Sequence, residues 1–198
     1  DALAAELADA ISAVALTGAG VSAASGVPTF RGEDGIWGEA FDPADFQYRR
    51  FRADPAGFWE DRLALREALQ VGQVGPNPAH EALATLEQEG VLDGVITQNT
   101  DGLHQRAGSE RVVELHGNGS RVVCVDCDSR APAAALVERV RTGERPPRCQ
   151  DCEGLLKPDV TLFGEPLSDL ALNEAQALAR SAAVFLVAGS SLTVDPAA

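Results

Sequence analysis

Residues 95–117 have the sequence VITQNTDGLHQRAGSERVVELHG, and this stretch decides the interpretation of the fold. Its apolar start predicts a buried strand, which the polar residues Gln98, Asn99 and Asp101 follow directly. A second apolar run, VVEL, ends beside His116. Open α/β sheets bind ligands at the carboxyl ends of their strands, where amide, carboxylate and imidazole groups suit proton transfer. Asn, Asp and Gly are also ordinary turn formers, so this stretch alone fits turn caps equally well.

The composition indicates an acidic globular protein. The chain has 198 residues, 45% of them hydrophobic, and a formal net charge of −14. We expect one core with a small appended module, no membrane span, no secretory leader and a cytoplasmic location. Because phosphate backbones attract clustered Lys and Arg, this charge argues against direct nucleic-acid binding. Arg supplies 15 of the 16 basic residues, which suggests a high-salt cytoplasm, although a GC-rich genome would also favour Arg.

A glycine-rich turn follows the first predicted strand. The strand AVAL, preceded by an amphipathic helix, runs into TGAGVSAASG at 17–26. Gly18, Gly20 and Ala23 match the G-x-G-x-x-G/A pattern, in which glycines let the backbone approach a pyrophosphate. A tight strand-to-helix turn is the alternative. A Rossmann dehydrogenase needs a second strand that ends in an acidic residue after this turn. This chain has a Gly-rich loop containing Arg31 in that place and no such strand pattern.

Four cysteines form two C-x-x-C pairs, Cys124 with Cys127 and Cys149 with Cys152, separated by 21 residues. Four thiolates at such spacing close a tetrahedral zinc site, each pair binding the metal from one knuckle. In an intracellular protein we favour zinc over disulfides. Because four thiolates fill the coordination sphere, we expect a structural metal in a zinc-ribbon module.

The helices in the middle of the chain are predicted from periodicity and capping residues. Phe58, Leu65 and Leu69 share one face of a helix that begins near Pro55. A second helix begins after the N-cap Asn77 and stops at Gly90. We interpret His80 in its first turn as a structural, hydrogen-bonding histidine.

The last part of the chain is expected to return to the parallel sheet. The run 155–163 predicts a strand of that sheet, and a helix is predicted around 168–180. Its candidate core residues are Leu170, Ala177 and Leu178. A final strand at 183–188 opens into the turn Gly189, Ser190 and Ser191, which is of a type that can hold a phosphate or ribose.

Taken together, these segments resemble the prokaryotic sirtuins, which are NAD-dependent protein deacylases. The matching motifs, in the order of the family, are GAGVSAASGVPTFRG (18–32), TQNTDGLHQRAG (97–108), ELHG (114–117), the paired C-x-x-C, FGE (163–165) and GSSLTVDPA (189–197). The resemblance implies an α/β fold with a Rossmann-like parallel-sheet domain, an inserted zinc-ribbon module and a helical subdomain. The implied ranges are 1–31, 77–118 and 159–198 for the NAD-binding domain, 32–76 for the cofactor loop and helical part, and 119–158 for the zinc module. The given sequence ends at Ala198, before the segments that complete the adenine site in other members of the family.

The resemblance also implies a role for each site residue, with NAD as the co-substrate and zinc as a structural metal. The implied NAD-binding residues are Gly18, Ala19, Gly20, Ser22, Ala23, Thr29, Phe30, Arg31, Trp37, Gln98, Asn99, Asp101, Gly189, Ser190 and Ser191. Asp101 would bind the nicotinamide carboxamide, and Phe30 would shield the reacting ribose carbon. His116, as general base, and Asn99 would be catalytic. The acyl-lysine peptide would bind to Val160, Leu162, Phe163, Gly164 and Glu165.

The activity implied is protein-lysine deacetylation, with release of nicotinamide and O-acetyl-ADP-ribose. Mono-ADP-ribosyl transfer, deacylation of another acyl group and a non-enzymatic zinc-ribbon interaction module are the alternatives. Thr29 stands where many sirtuins have Asp. The branch that includes desuccinylases also departs from Asp at this position. That branch recognises an acidic acyl group with a Tyr and an Arg, where this chain has Arg62 and Leu65. We therefore favour deacetylation. Arg62 or Arg66 could still meet a carboxylate, but we favour the interpretation that both lie on a solvated helix face. Thr100 replaces the usual aliphatic residue beside the nicotinamide pocket, and oligomeric state is not readable from the sequence.

Overall fold

The computed structural model describes residues 5–7, 10–30, 35–38 and 40–194. Arg31, one of the predicted NAD-binding residues, lies outside these ranges. The strands are β1 (Ala13–Thr17), β2 (Val95–Thr97), β3 (Val112–Glu114), β4 (Gly117–Cys124), β5 (Arg130–Pro132), β6 (Leu156–Val160) and β7 (Val184–Ala188). The α-helices are α1 (Ala19–Ser22), α2 (Tyr48–Ala53), α3 (Pro55–Ala68), α4 (Pro78–Gln88), α5 (Leu103–Ala107), α6 (Ala133–Arg141) and α7 (Asp169–Ser181). Short 3₁₀ turns cover Ala23–Ser25 and Pro43–Phe46. Among the described helices, none is long and apolar enough to cross a bilayer.

A parallel sheet with the strand order β3-β2-β1-β7 forms the larger part of the structure. Side chains of β1 alternate between its two faces. Val14 packs with Leu178 of α7 on one face, while Ala15 packs with Leu83 of α4 on the other. With helices on both faces, the sheet is Rossmann-like, which confirms the predicted fold class.

A second, antiparallel sheet has the order β5-β4-β6. The prediction that 155–163 returns to the parallel sheet was wrong, because β6 pairs with β4 instead. Burial alternates along β6, with Leu156, Pro158 and Val160 buried. Such alternation is typical of a sheet with one covered face, whereas a strand inside a parallel sheet is buried on both.

The helices α2 and α3 share one hydrophobic core with this small sheet. Phe58, Leu65 and Leu69 are buried in it, as their spacing predicted. The indole nitrogen of Trp59 donates a hydrogen bond of 2.9 Å to the backbone carbonyl of Leu156 at the start of β6. The helical part and the zinc-ribbon sequence are therefore packed as one unit.

The termini of α4 and the packing of α7 test two further predictions. Asn77 caps α4 in a capping box with His80, and Gly90 follows the helix with a φ of 72°, as expected. On α7, Leu178 is buried, but Ala177 is exposed and Leu170 is 77% exposed, so those two core predictions were wrong. Ala175 takes the inward position, because it lies three residues from Leu178 on the helix face that covers the sheet.

Candidate active site

The two Gly/Ser turns of the sequence meet at the carboxyl ends of β1 and β7. The amide of Gly18 donates to the carbonyl of Ala188 at 3.1 Å, and that of Gly20 donates to Gly189 at 2.9 Å. A Cβ added to Gly18 or Gly20 would lie within 2.9 Å of backbone atoms of the other turn. Glycine is required here because the two backbones touch. The predicted phosphate-side and adenosine-side residues are thus brought together.

A buried polar network connects the glycine-rich turn to the loop after β2. The carboxamide nitrogen of Asn99 donates to the carbonyl of Gly18 and to Ser22 Oγ, both at 3.1 Å. Ser22 Oγ in turn donates to Asp101 Oδ2 at 2.7 Å. The other oxygen of Asp101 accepts the amide of Leu103 at 2.9 Å. Both oxygens of this carboxylate are fixed by the protein, so its orientation is set before any ligand binds.

Two buried histidines lie behind that network, with ring centroids 4.9 Å apart. His80 accepts the Asn77 amide at Nδ1, so its Nε2 carries the proton and points at Ser22 Oγ, 3.4 Å away. His104 Nε2 lies 2.9 Å from Thr17 Oγ1. Burial lowers the pKa of His80, and burial with the neighbouring His80 lowers the pKa of His104 to about 4. Both rings are neutral at physiological pH. The structural role expected for His80 agrees with this placement.

His116 stands between the cofactor-side loop and the peptide-side segment. Its Nδ1 lies 2.9 Å from the backbone carbonyl of Gln98. Because a carbonyl only accepts, Nδ1 carries the proton, and Nε2 has the free lone pair that a general base needs. Burial lowers the pKa of His116 and outweighs the raising effect of the Gln98 carbonyl. The backbone carbonyl of His116 also accepts the amide of Thr161 at 2.9 Å, which ties it to the segment after β6.

Three aromatic rings pack against one another beside the segment that follows β6. Phe30 stacks on Trp37 with a centroid distance of 5.5 Å, and Trp37 meets Phe163 edge to face at 5.9 Å. Backbone hydrogen bonds from Ile36 to Thr29 and from Trp37 to Phe30 close the base of the loop between them. The predicted cofactor loop and the predicted peptide segment therefore share an apolar wall.

Arg62 contradicts the expectation of a solvated helix face. It is only 7% exposed, and burial together with the nearby charge of Arg66 lowers its pKa to about 10. Arg66 is partly buried and donates to the carbonyl of Gly119 at 2.6 Å. Within the described ranges no acidic side chain pairs with Arg62. Its burial could have been found in the sequence, since position 62 shares a helix face with Phe58 and Leu65.

The four cysteines meet as their spacing predicted. Their sulfur atoms all lie within 4.8 Å of one another, with Cys124 and Cys152 at 3.5 Å and Cys127 and Cys149 at 3.8 Å. A tetrahedron of zinc–sulfur bonds of about 2.3 Å has edges of about 3.8 Å. The cluster therefore fits a zinc ion with four thiolate ligands and no open position.

The structure places most predicted site residues around one cleft edge. The glycine-rich turn, the 98–101 loop, His116 and the segment after β6 are joined by direct hydrogen bonds. Ala23 is exposed, one turn beyond these contacts. The sequence interpretation gave no role to Thr17, Thr97 and His104, although each stands at the end of a strand or the start of a helix facing the same edge. Thr17 Oγ1 donates to Thr97 Oγ1 at 2.9 Å, and Thr97 Oγ1 accepts the Asn99 amide at 3.0 Å.

Comparison with known proteins gives consistent matches over nearly the whole chain. A sequence model described as the Sir2 family matches residues 18–196. An NAD-dependent protein deacetylase of Haloarcula marismortui is 61% identical over 200 residues, covering 100% of this chain and 76% of that protein. An NAD-dependent protein deacylase of Aeropyrum pernix is 50% identical over 192 residues, covering 96% of this chain and 75% of that protein. A solved structure of Sir2 with a p53 peptide and NAD+ is similar with a TM-score of 0.87 and 38% identity, covering 100% of this chain and 78% of that chain.

Proposed function

The chain belongs to the Sir2 family, and from this premise we propose that it is an NAD-dependent protein-lysine deacetylase. It transfers the acetyl group of a lysine side chain to the ADP-ribose part of NAD with consumption of one water molecule, and it releases the free lysine, nicotinamide and O-acetyl-ADP-ribose. The observation that supports this most directly is the hydrogen bond from His116 Nδ1 to the Gln98 carbonyl. It leaves Nε2 as a base at the point where the cofactor-side loop meets the peptide-side segment.

Bound NAD supplies the electrophilic ribose carbon, and the protein supplies the base, the orientation and the exclusion of water. His116 Nε2 accepts a proton from a ribose hydroxyl, which makes that oxygen nucleophilic. Asp101 is pre-oriented by Ser22 to receive the amide of the nicotinamide. Phe30 and Trp37 cover the reacting carbon and keep water from it. Gly18, Gly20 and Gly189 form the turns that hold the diphosphate and adenosine.

Zinc is held by the four cysteines and takes no part in the chemistry. All four ligand positions are filled by thiolates, which leaves no place for water or substrate on the metal. Its function is to hold β4 and β6 side by side, and β6 leads directly into the peptide-side segment.

We further infer that the protein acts on acyl-lysine peptides in the cytoplasm and does not bind nucleic acid directly. Its net charge of −14 repels phosphate backbones. Clustered thiols of this type are maintained in a reducing compartment.

The test is incubation with NAD and an acetyl-lysine peptide at low and high salt, following nicotinamide release and peptide mass together. We expect peptide-dependent nicotinamide release with loss of the acetyl group, abolished by His116→Ala. Nicotinamide release with the acetyl group retained, and ADP-ribose attached to protein, would instead establish mono-ADP-ribosyl transfer. No turnover at any salt concentration would contradict both enzymatic activities.

The burial of Arg62 favours a second candidate, the removal of an acyl group that ends in a carboxylate. A buried guanidinium without an acidic partner is costly, and an anionic ligand would offset that cost. A Cβ added to Gly119 would lie 3.6 Å from Arg62 Nη2 and 3.2 Å from the carbonyl of Thr100, so the guanidinium lies beside the 98–101 loop. Comparing acetyl- with succinyl-lysine peptides, in the parent and in Arg62→Met, decides between the two. If Arg62 binds the carboxylate of the acyl group, Arg62→Met loses the activity on succinyl-lysine peptides and keeps the activity on acetyl-lysine peptides. The exposed control Arg52→Met keeps both activities.

A further inference from the structure

Lys157, the only lysine of the chain, forms a largely buried ion pair with Glu165. Its Nζ lies 3.1 Å from Glu165 Oε2, and the two side chains are only 12% and 15% exposed. The same Nζ donates to the backbone carbonyl of Val160 at 2.8 Å and approaches that of Pro158 at 3.4 Å. The three donors of the ammonium group thus face three acceptors.

Glu165, the acidic partner of the ion pair, is the last residue of a hydrogen-bonded turn formed by residues 162–165. Its Oε2 accepts the backbone amide of Leu162 at 2.7 Å, and its own amide donates to the Leu162 carbonyl at 3.0 Å. Gly164 occupies the third position of this turn with a φ of 84°, a conformation that favours glycine. The ion pair therefore connects the end of β6 to the turn and fixes the backbone between them. We call the pair Lys157–Glu165 the clasp.

The segment inside the clasp, residues 160–164, touches both sides of the candidate site. The Thr161 amide donates to the His116 carbonyl at 2.9 Å. The Phe163 carbonyl accepts the Tyr48 amide at 2.9 Å, and its ring meets Trp37. A shift of this segment would move the aromatic wall and the backbone next to the general base.

Burying two charges costs free energy that their mutual attraction offsets only when both are fully hydrogen-bonded. The exposed ion pair of Arg141 in α6 with Glu67 in α3 has no such cost and contributes little. In a chain whose other basic residues are all Arg, a buried lysine matched to three acceptors indicates a specific local requirement.

We propose that the clasp is a positioning device for the acyl-lysine peptide, which holds the 160–164 segment in the shape that the peptide binds. The inference rests on the proposed deacylase function. Neither clasp residue touches the reacting atoms. Breaking the clasp therefore weakens peptide binding much more than NAD binding, because the turns that hold the diphosphate and adenosine lie at the ends of β1 and β7, outside the 160–164 segment.

The experiment compares the parent protein with Glu165→Gln, Lys157→Met and Lys157→Arg. The pair Glu67→Gln and Arg141→Met is the matched control, since it removes an exposed ion pair of similar length. Initial rates are measured with varied acetyl-lysine peptide at saturating NAD and with varied NAD at saturating peptide. Thermal unfolding and zinc content verify that each variant is folded.

For Glu165→Gln and Lys157→Met we expect a rise in the peptide KM on the order of tenfold, the loss typical of one charge-assisted hydrogen bond. The KM for NAD stays within about twofold. Lys157→Arg recovers only part of the peptide KM, because it retains the charge but not the compact ammonium group that faces three acceptors. The control variants behave like the parent.

An unchanged peptide KM in both clasp variants, with an active parent, overturns the clasp but not the deacylase. Equal rises of both KM values, with lowered thermal stability, would show a merely structural pair and also overturn it. A parent that releases no nicotinamide and binds no acetyl-lysine peptide overturns the proposed function itself.

Discussion

Ser22 and Asp101, 79 positions apart in the sequence, are joined by a hydrogen bond of 2.7 Å from Ser22 Oγ to Asp101 Oδ2. The same hydroxyl accepts a hydrogen bond from Asn99, so one small side chain orients two predicted site residues. Such an arrangement pre-organises the pocket, so that little free energy is lost in reordering these side chains when a ligand binds.

Ser22→Ala should therefore impair the NAD-dependent step without unfolding the protein. We expect kcat/KM for NAD to fall on the order of tenfold, since the half-buried carboxylate of Asp101 loses a donor. Nicotinamide inhibition should weaken in parallel, because Asp101 is the residue predicted to bind it. Steady-state kinetics with varied NAD and nicotinamide measure both effects. Ser181→Ala, which removes a hydroxyl that donates to the backbone carbonyl of Leu178, is the control. Unchanged kinetics would mean that Asp101 is oriented by Leu103 alone.

The pH dependence of the reaction should follow the protonation of His116. Burial lowers its pKa below the ordinary 6.5, and the neutral ring is the active form. The rate should be constant at neutral pH and fall as the pH drops through a midpoint below 6.5. A profile of kcat/KM from about pH 5 to 8 checks this. A midpoint above 7 would contradict the role of burial.

The buried histidine pair should make the protein less stable in mild acid. The pKa of His104 is about 4 in the folded state against about 6.5 when unfolded. Below pH 6.5 the unfolded chain binds a proton that the folded ring does not, so stability present above pH 6.5 is lost as the pH falls toward 4. The slope is about 1.4 kcal/mol per pH unit for one such group. Urea unfolding near pH 7.5 and pH 5 of the parent and His104→Asn tests this. The variant should lose less on acidification, although it starts from lower stability.

Removal of zinc should unfold the small sheet and abolish activity indirectly. Metal binding at a four-cysteine site supplies roughly 10 kcal/mol or more of folding free energy. A chelator, or Cys127→Ser, should lower the unfolding temperature and change the fluorescence of Trp59, whose indole bonds to β6. Chelator presaturated with zinc is the control. Full activity after complete loss of zinc would refute this structural role.

Salt should stabilise the protein. With a net charge of −14, carboxylate self-repulsion is strong in dilute buffer and is screened as ionic strength rises. The unfolding temperature should increase from low to molar NaCl. A series with a neutral osmolyte at the same concentrations separates charge screening from the stabilisation that any solute excluded from the protein surface produces. Full stability in dilute buffer would favour genome composition as the reason for the acidic, Arg-rich sequence.

Much of the candidate site was predictable because its signals are local. The C-x-x-C spacing fixes which sulfurs can share a metal, and the structure brings all four within 4.8 Å. Polar residues placed after apolar runs indicated that Asn99, Asp101 and His116 lie at one sheet edge. Capping residues gave the start of α4 at Pro78. Each C-x-x-C pair, each strand end and each helix cap is itself defined by neighbours within a few residues.

Other predictions failed where the outcome depends on distant partners. The strand at 156–160 joined β4 rather than the parallel sheet, and Leu170 faced outward on α7. The apolar character of a segment indicates that it is buried without specifying which surface covers it. The charge of Arg62 predicts exposure, whereas its position on the helix face of Phe58 and Leu65 places it in the interior.

The sequence by itself determined the fold class, through its resemblance to the sirtuins. It also determined the four cysteines of the zinc site and the residues at the strand ends, through spacing and periodicity along the chain. Only the tertiary structure decided the bond from Ser22 to Asp101, the clasp of Lys157 with Glu165 and the burial of Arg62. These contacts arise when faces of separate elements meet, and their energies come from desolvation and hydrogen bonding across that contact. Neither the desolvation energy nor the hydrogen-bond energy can be assigned until the faces that pack against each other are known.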